Sequence, residues 1–198
     1  MNLYSIGTTL GKGLLLPLMF CSQLALAAEI AGVRVEERVR LGATELQLNG
    51  AGIRTRIVFK VYVGALYLPE KKSAGAEVLV LKGAKRVSMT MLRDLTAHQL
   101  TDALEDGIRA NHSPAELAAL KGRVEELVAV MNEIGSAKEK TVIALDFLPD
   151  SGTRITLDGA TRGKPIPGED FYAALLRIWL GDKPVDADLK KAMLGQGG

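Results

Sequence analysis

The stretch Leu48–Leu68, LNGAGIRTRIVFKVYVGALYL, decides the fold. Gly50-Ala51-Gly52 reads as a turn that leads into a long strand from Arg54. Pro69 ends that strand, because it cannot donate to a ladder. Successive strand residues point to opposite faces. The odd positions Thr55, Ile57, Phe59, Val61, Val63, Ala65 and Tyr67 make one face almost wholly apolar. The even face carries Arg54, Arg56, Lys60, Tyr62 and the bare Gly64. Such a face is either solvated or the floor of a site for an anion.

Working outward, residues 30–49 read as two strands joined at Gly42, with Val33, Val35 and Val39 in the first and Leu46 and Leu48 in the second. Two more strands are expected at 77–81 and 86–92, on either side of Gly83. The period then becomes helical. Thr96 with Gln99 makes a capping box ahead of Ala97, Leu100, Leu104 and Ile108. Ser113, Pro114 and Glu116 start a second helix that Gly135 stops. Strands return at 141–147 and 153–158. Pro165 and Pro167 punctuate a loop, and helices follow at about 169–180 and 186–194. Strands, two helices, a hairpin and two helices make an α+β domain, an antiparallel sheet with helices on one face.

The chain has 198 residues, 47% hydrophobic and 24% charged, which suits one globular domain with an ordinary core. Its start reads as a signal peptide over residues 1–27. Lys12 is the sole basic residue there, an apolar run spans residues 14–20, and Ala25-Leu26-Ala27 offers a cleavage site. Cleavage is expected after Ala27, with Ala28 as the alternative, which leaves a domain over 28–198 exported to the periplasm. Cys21 is the only cysteine and goes with the leader, so disulfides, thiol nucleophiles and zinc–thiolate sites are excluded. Loss of Lys12 leaves 24 cations against 23 anions, which gives no electrostatic case for nucleic acid.

Catalytic motifs are missing too. His98 and His112 are scattered, and no HExxH, CxxC or GxSxG occurs. The Gly50-Ala51-Gly52 run fails the dinucleotide fingerprint, because Thr55 occupies its sixth position and a strand follows. Asp146, Asp150 and Asp158 are read as turn residues around a hairpin. No cofactor, metal or catalytic residue is expected, and the polar face of the long strand is the remaining candidate site.

That strand, with DALEDGI (residues 102–108), SGTRITLDG (151–159) and GEDFYAALLRIWLG (168–181), resembles the chalcone isomerase-like family, in particular its bacterial, exported branch. The resemblance implies an open-faced β-sandwich, a large antiparallel sheet covered on one face by helices, with the ligand cleft between. Of the plant isomerases' four polar positions, Arg54 matches the arginine. Tyr62 stands for the threonine, Gln99 for the tyrosine and Asp106 for the asparagine. A carboxylate at Asp106 has the wrong sign for binding a phenolate. Arg54 with Tyr62 resembles instead the fatty-acid-binding members, in which such a pair holds the carboxylate.

The expected function is therefore a periplasmic, non-catalytic binding protein for a fatty acid or similar amphipathic carboxylate. Gly64 would leave room for the tail. The alternatives are an isomerase or intramolecular lyase using Arg54, Tyr62 and Asp106 on a phenolic or enone substrate, and an envelope protein-interaction module. Eight residues of continuous strand would hold Arg54 and Tyr62 about 26 Å apart. Either a bend or bulge intervenes, or Arg56 or Lys60 is the real partner of Tyr62.

Overall fold

The computed structural model describes Met1 and residues 27–197. The body of the expected signal peptide, with Lys12 and Cys21, lies outside the described residues. The chain runs through β1 (Ala27–Ile30), β2 (Val33–Glu36), β3 (Arg38–Leu41), β4 (Thr44–Arg56) and β5 (Phe59–Leu68). It continues through α1 (Gly75–Val80), β6 (Lys85–Met91), β7 (Leu95–Thr96), α2 (Ala97–Ala110), α3 (Pro114–Ile134) and β8 (Ser136–Ala137). Then come β9 (Val142–Leu148), β10 (Gly152–Leu157), β11 (Ala160–Ile166), α4 (Glu169–Leu180) and α5 (Ala187–Met193). Seven strands form one antiparallel sheet in the order β11-β10-β9-β6-β5-β4-β3. The expected α+β architecture, a large antiparallel sheet with helices, is what the chain adopts.

The strand expected from Arg54 to Leu68 is instead two strands of a hairpin. β4 and β5 pair antiparallel, and Arg56 lies opposite Phe59, so Ile57 and Val58 alone make the turn. Ile57 has φ 60°, the positive first-position φ of a type II′ turn, where glycine is the usual residue. A bulge falls between Arg54 and Thr55, and Val61 has no partner in the register. Gly50 and Gly52 lie within β4 and make no turn. Two further expectations are corrected. Residues 77–81 are not a strand, because 75–80 form the one-and-a-half-turn helix α1 that buries Val78. The proline-marked loop is the edge strand β11, where Pro165 is tolerated because no ladder continues beyond it.

Both capping boxes form as read. Thr96 Oγ1 accepts from Gln99 N, and Ser113 Oγ from Glu116 N. α2, α3, α4 and α5 pack on one face of the sheet. There Tyr62 and Leu66 of β5, Val87 and Met91 of β6, and Ile143 and Leu145 of β9 meet Leu104, Leu127, Phe171, Trp179 and Leu189. On the opposite face Val63, Ala65 and Tyr67 join Val35, Leu41 and Leu46 in a second, smaller core. From Tyr62 onward the even face of β5 is thus the one beneath the helices, and the odd positions Val63, Ala65 and Tyr67 are buried on the other side, while Phe59 at the start of the strand is exposed. Among the described residues, no helix is long and apolar enough to cross a membrane.

Candidate cleft between sheet and helices

The β4–β5 hairpin resolves the spacing of Arg54 and Tyr62. The two are directly opposed across the strands, and the Arg54 guanidinium lies 5.6 Å from the centre of the Tyr62 ring, within cation–π range. They open onto a cavity of about 300 Å3 between the sheet and α2, α3 and α4. Its apolar wall includes Val61, Met89, Leu104, Met131, Ile143 and Ile178. The bulge explains why neighbouring Val61 and Tyr62 both line it, since an extra residue breaks the alternation.

Tyr62 is buried, and its hydroxyl oxygen accepts a hydrogen bond from Trp179 Nε1 at 2.8 Å. The phenol's own proton is thereby left for an acceptor in the cleft. Burial pushes its pKa up to about 12, against the opposing effects of the Arg54 charge and the Trp179 hydrogen bond, while Asp186 adds to the rise. The phenol is therefore a neutral donor at physiological pH. Arg54 is half-buried, and its Nε is buried without a hydrogen-bond partner among the described residues. The nearby Asp186 carboxylate is held by Thr55 N and by the first turn of α5.

The raised pKa has a consequence for stability. Unfolded Tyr62 titrates near 10.0 and folded Tyr62 near 12, so its contribution is complete below pH 10 and is lost as the pH climbs through 12. Two pKa units correspond to about 2–3 kcal/mol. In urea denaturation, Tyr62→Phe is expected to lose less stability than the wild type between about pH 8 and about pH 11.5. Equal losses would place the alkaline limb on other groups.

Arg56 and Gln99 also line the cavity, but the other expected site residues do not. Gln99 Oε1 is engaged by Thr96 N in the capping box, so only its amide nitrogen is available. Lys60 lines no part of the cavity and is exposed at the hairpin tip. Gly64 leaves no room for a tail, because Leu189 of α5 covers it; a Cβ there would lie 3.3 Å from Leu189 Cδ1. Asp106 is exposed on the outer side of α2, paired with Arg109 at 2.9 Å, because that helix buries Thr101, Leu104, Gly107 and Ile108 instead. The trio required for an acid–base isomerase, Arg54, Tyr62 and Asp106, is not brought to one spot.

Trp179 is the residue the sequence did not single out. A buried tryptophan needs an acceptor for its N–H, and the sole tryptophan of the chain sits on the inward side of α4. Arg93, over the Phe59 ring at 5.0 Å, adds a third guanidinium to the lining beside those of Arg54 and Arg56. Among the described residues no group of three or more His, Cys, Asp or Glu side chains is placed to hold a metal ion.

A family model for chalcone isomerase-like proteins matches residues 27–195. Among solved structures, the chain superimposes on a fatty-acid binding protein of Arabidopsis thaliana with a TM-score of 0.64 at 10% identity, over 87% of this chain and 97% of that one. At that identity the likeness is one of fold. Comparison with curated proteins found no match.

Proposed function

The chain belongs to the chalcone isomerase-like family, and from its cleft we propose that the protein binds a fatty acid or similar amphipathic carboxylate without transforming it, in the periplasm. The observation that carries this reading is the polarity of the cavity. The Arg54 guanidinium lies over the Tyr62 ring, Arg56 and Arg93 add charge to the lining, and most of the remaining wall is apolar. A guanidinium offers paired donors to a carboxylate and a neutral phenol adds one more. The fatty-acid binding protein of the same fold supports the choice of ligand class. The periplasm is inferred from the leader, whose charge and apolar pattern suit export.

The volume narrows the ligand. About 300 Å3 is at the small end of ligand pockets, and at the ~30 Å3 that a water takes it holds roughly ten non-hydrogen atoms. Decanoate, whose ten carbons match that count with the carboxylate left at Arg54, is therefore the natural probe. Arg54→Ala is expected to weaken decanoate binding by about 1.5–3 kcal/mol, roughly 10- to 100-fold, with little effect on folding. Isothermal titration of the two proteins checks this. Unchanged affinity would remove Arg54 from the site, and a wild type that refuses decanoate would sink the reading.

A further inference from the structure

We propose that the β4–β5 hairpin tip is a docking surface for anionic lipid membranes, placed at the mouth of the cleft. Ile57, Val58 and Phe59 are consecutive, and 88%, 77% and 57% exposed. Apart from Met1, Val80 is the one other large exposed hydrophobic among the described residues, and it lies alone on α1. Ile57 moreover occupies a left-handed turn position, where a β-branched residue is strained and glycine would be comfortable. The fold thus carries a steric cost and a solvation cost at one residue, and Ile57 points both out to solvent and along the cavity rim.

Charge selects the occupant. Arg54, Arg56 and Lys60 flank the tip on the same hairpin, and Arg93 lies over Phe59. No acidic residue occurs between Glu45 and Glu70. Two carboxylates beside these segments, Asp186 at Thr55 and Asp94 next to Arg93 in the chain, have partners. Asp186 holds Thr55 N, and Asp94 is engaged by Lys138 Nζ and Glu139 N. A convex apolar apex ringed by cations suits insertion between anionic headgroups. A protein partner would need roughly 800 Å2 of complementary surface on this side, which a two-residue turn does not offer. Arg56, Ile57 and Phe59 also line the cavity, so an inserted tip sets the cleft mouth at the level of acyl chains.

The test is sedimentation of the purified protein with vesicles of equal parts phosphatidylcholine and phosphatidylglycerol, against phosphatidylcholine alone, without added fatty acid. Its failure therefore leaves the ligand reading standing. Binding is expected for the anionic vesicles only, and to weaken with salt. Arg56→Gln and Lys60→Gln should each weaken it about fivefold. The triple change Ile57→Ser, Val58→Ser, Phe59→Ser should weaken it about tenfold or more. A second measurement does not rely on that variant folding. Val58→Cys in a Cys21→Ser background, carrying a polarity-sensitive fluorophore, should shift to the blue on anionic vesicles. No vesicle binding, binding that survives the triple change, or a label that stays in water would each overturn the proposal. So would tip-dependent self-association without vesicle binding, which would assign the patch to a second copy of the chain.

Discussion

Gly50→Ala is expected to lift α5 from the sheet and to lower stability by about 3–5 kcal/mol. A Cβ on Gly50 would lie 2.0 Å from the carbonyl oxygen of Ala192, 2.9 Å from Gly195 N and 3.0 Å from Met193 C. All three are backbone atoms, so no side chain can swing away to relieve the clash. Asn49 holds the same junction from the next position, donating to Met193 O at 2.7 Å and Lys72 O at 2.9 Å. If α5 detaches, Leu189 and Met193, both fully buried, return to water at about 1.5–3 kcal/mol each. Urea denaturation reads the loss, and trypsin cleavage after Lys190 or Lys191 reports the detachment. Gly122→Ala on α3 is the matched control. Its Cβ would meet nothing within 4 Å, and an exposed helical alanine stabilises by about 0.4–1 kcal/mol. Equal behaviour of the two variants would refute the account of Gly50. Because Leu189 covers Gly64 and Asp186 holds Thr55 beside Arg54, detachment should also weaken decanoate binding.

The same glycines show where sequence reading stops. Gly50-Ala51-Gly52 has turn composition, and only the return of a helix some 140 residues later makes close approach the reason for it. Ile57-Val58 has the opposite character. It turns the chain without glycine, asparagine or proline, so the periodic pattern runs through it unbroken. Parity survives the error, because Arg54 and Tyr62 share a face across the hairpin just as they would along one strand. Their distance does not survive it, and the hairpin makes the pair adjacent where one strand would hold them about 26 Å apart. Helix starts were legible because their chemistry is local. Thr96 with Gln99 and Ser113 with Glu116 satisfy backbone donors within three residues of themselves. Tyr62 was legible through family likeness, whereas Trp179, which fixes its hydroxyl from 117 residues away, has no local signal.

Asp146 carries the other large expected effect. Its turn-like sequence setting gives no hint of its place in the middle of β9, with no solvent exposure. Arg86 from β6 donates to its two carboxylate oxygens at 2.5 and 2.8 Å, and Arg154 from β10 donates at 3.1 Å. The three residues are direct cross-strand neighbours, so the ladder itself sets the row of charges. Asp146→Ala removes the anion and leaves two largely buried guanidiniums facing each other. The expected cost is about 3–5 kcal/mol, or roughly 6–20 °C in Tm for a domain of this size. That figure measures orphaned charge and is not the net worth of the cluster, since taking charges out of water offsets much of their attraction. Replacing all three together, with Asp146→Leu, Arg86→Met and Arg154→Met, should therefore cost less than Asp146→Ala alone. Thermal denaturation of the two variants separates the cases. A triple variant less stable than the single would mean that the cluster holds β6, β9 and β10 in register by a net attraction that apolar side chains cannot replace.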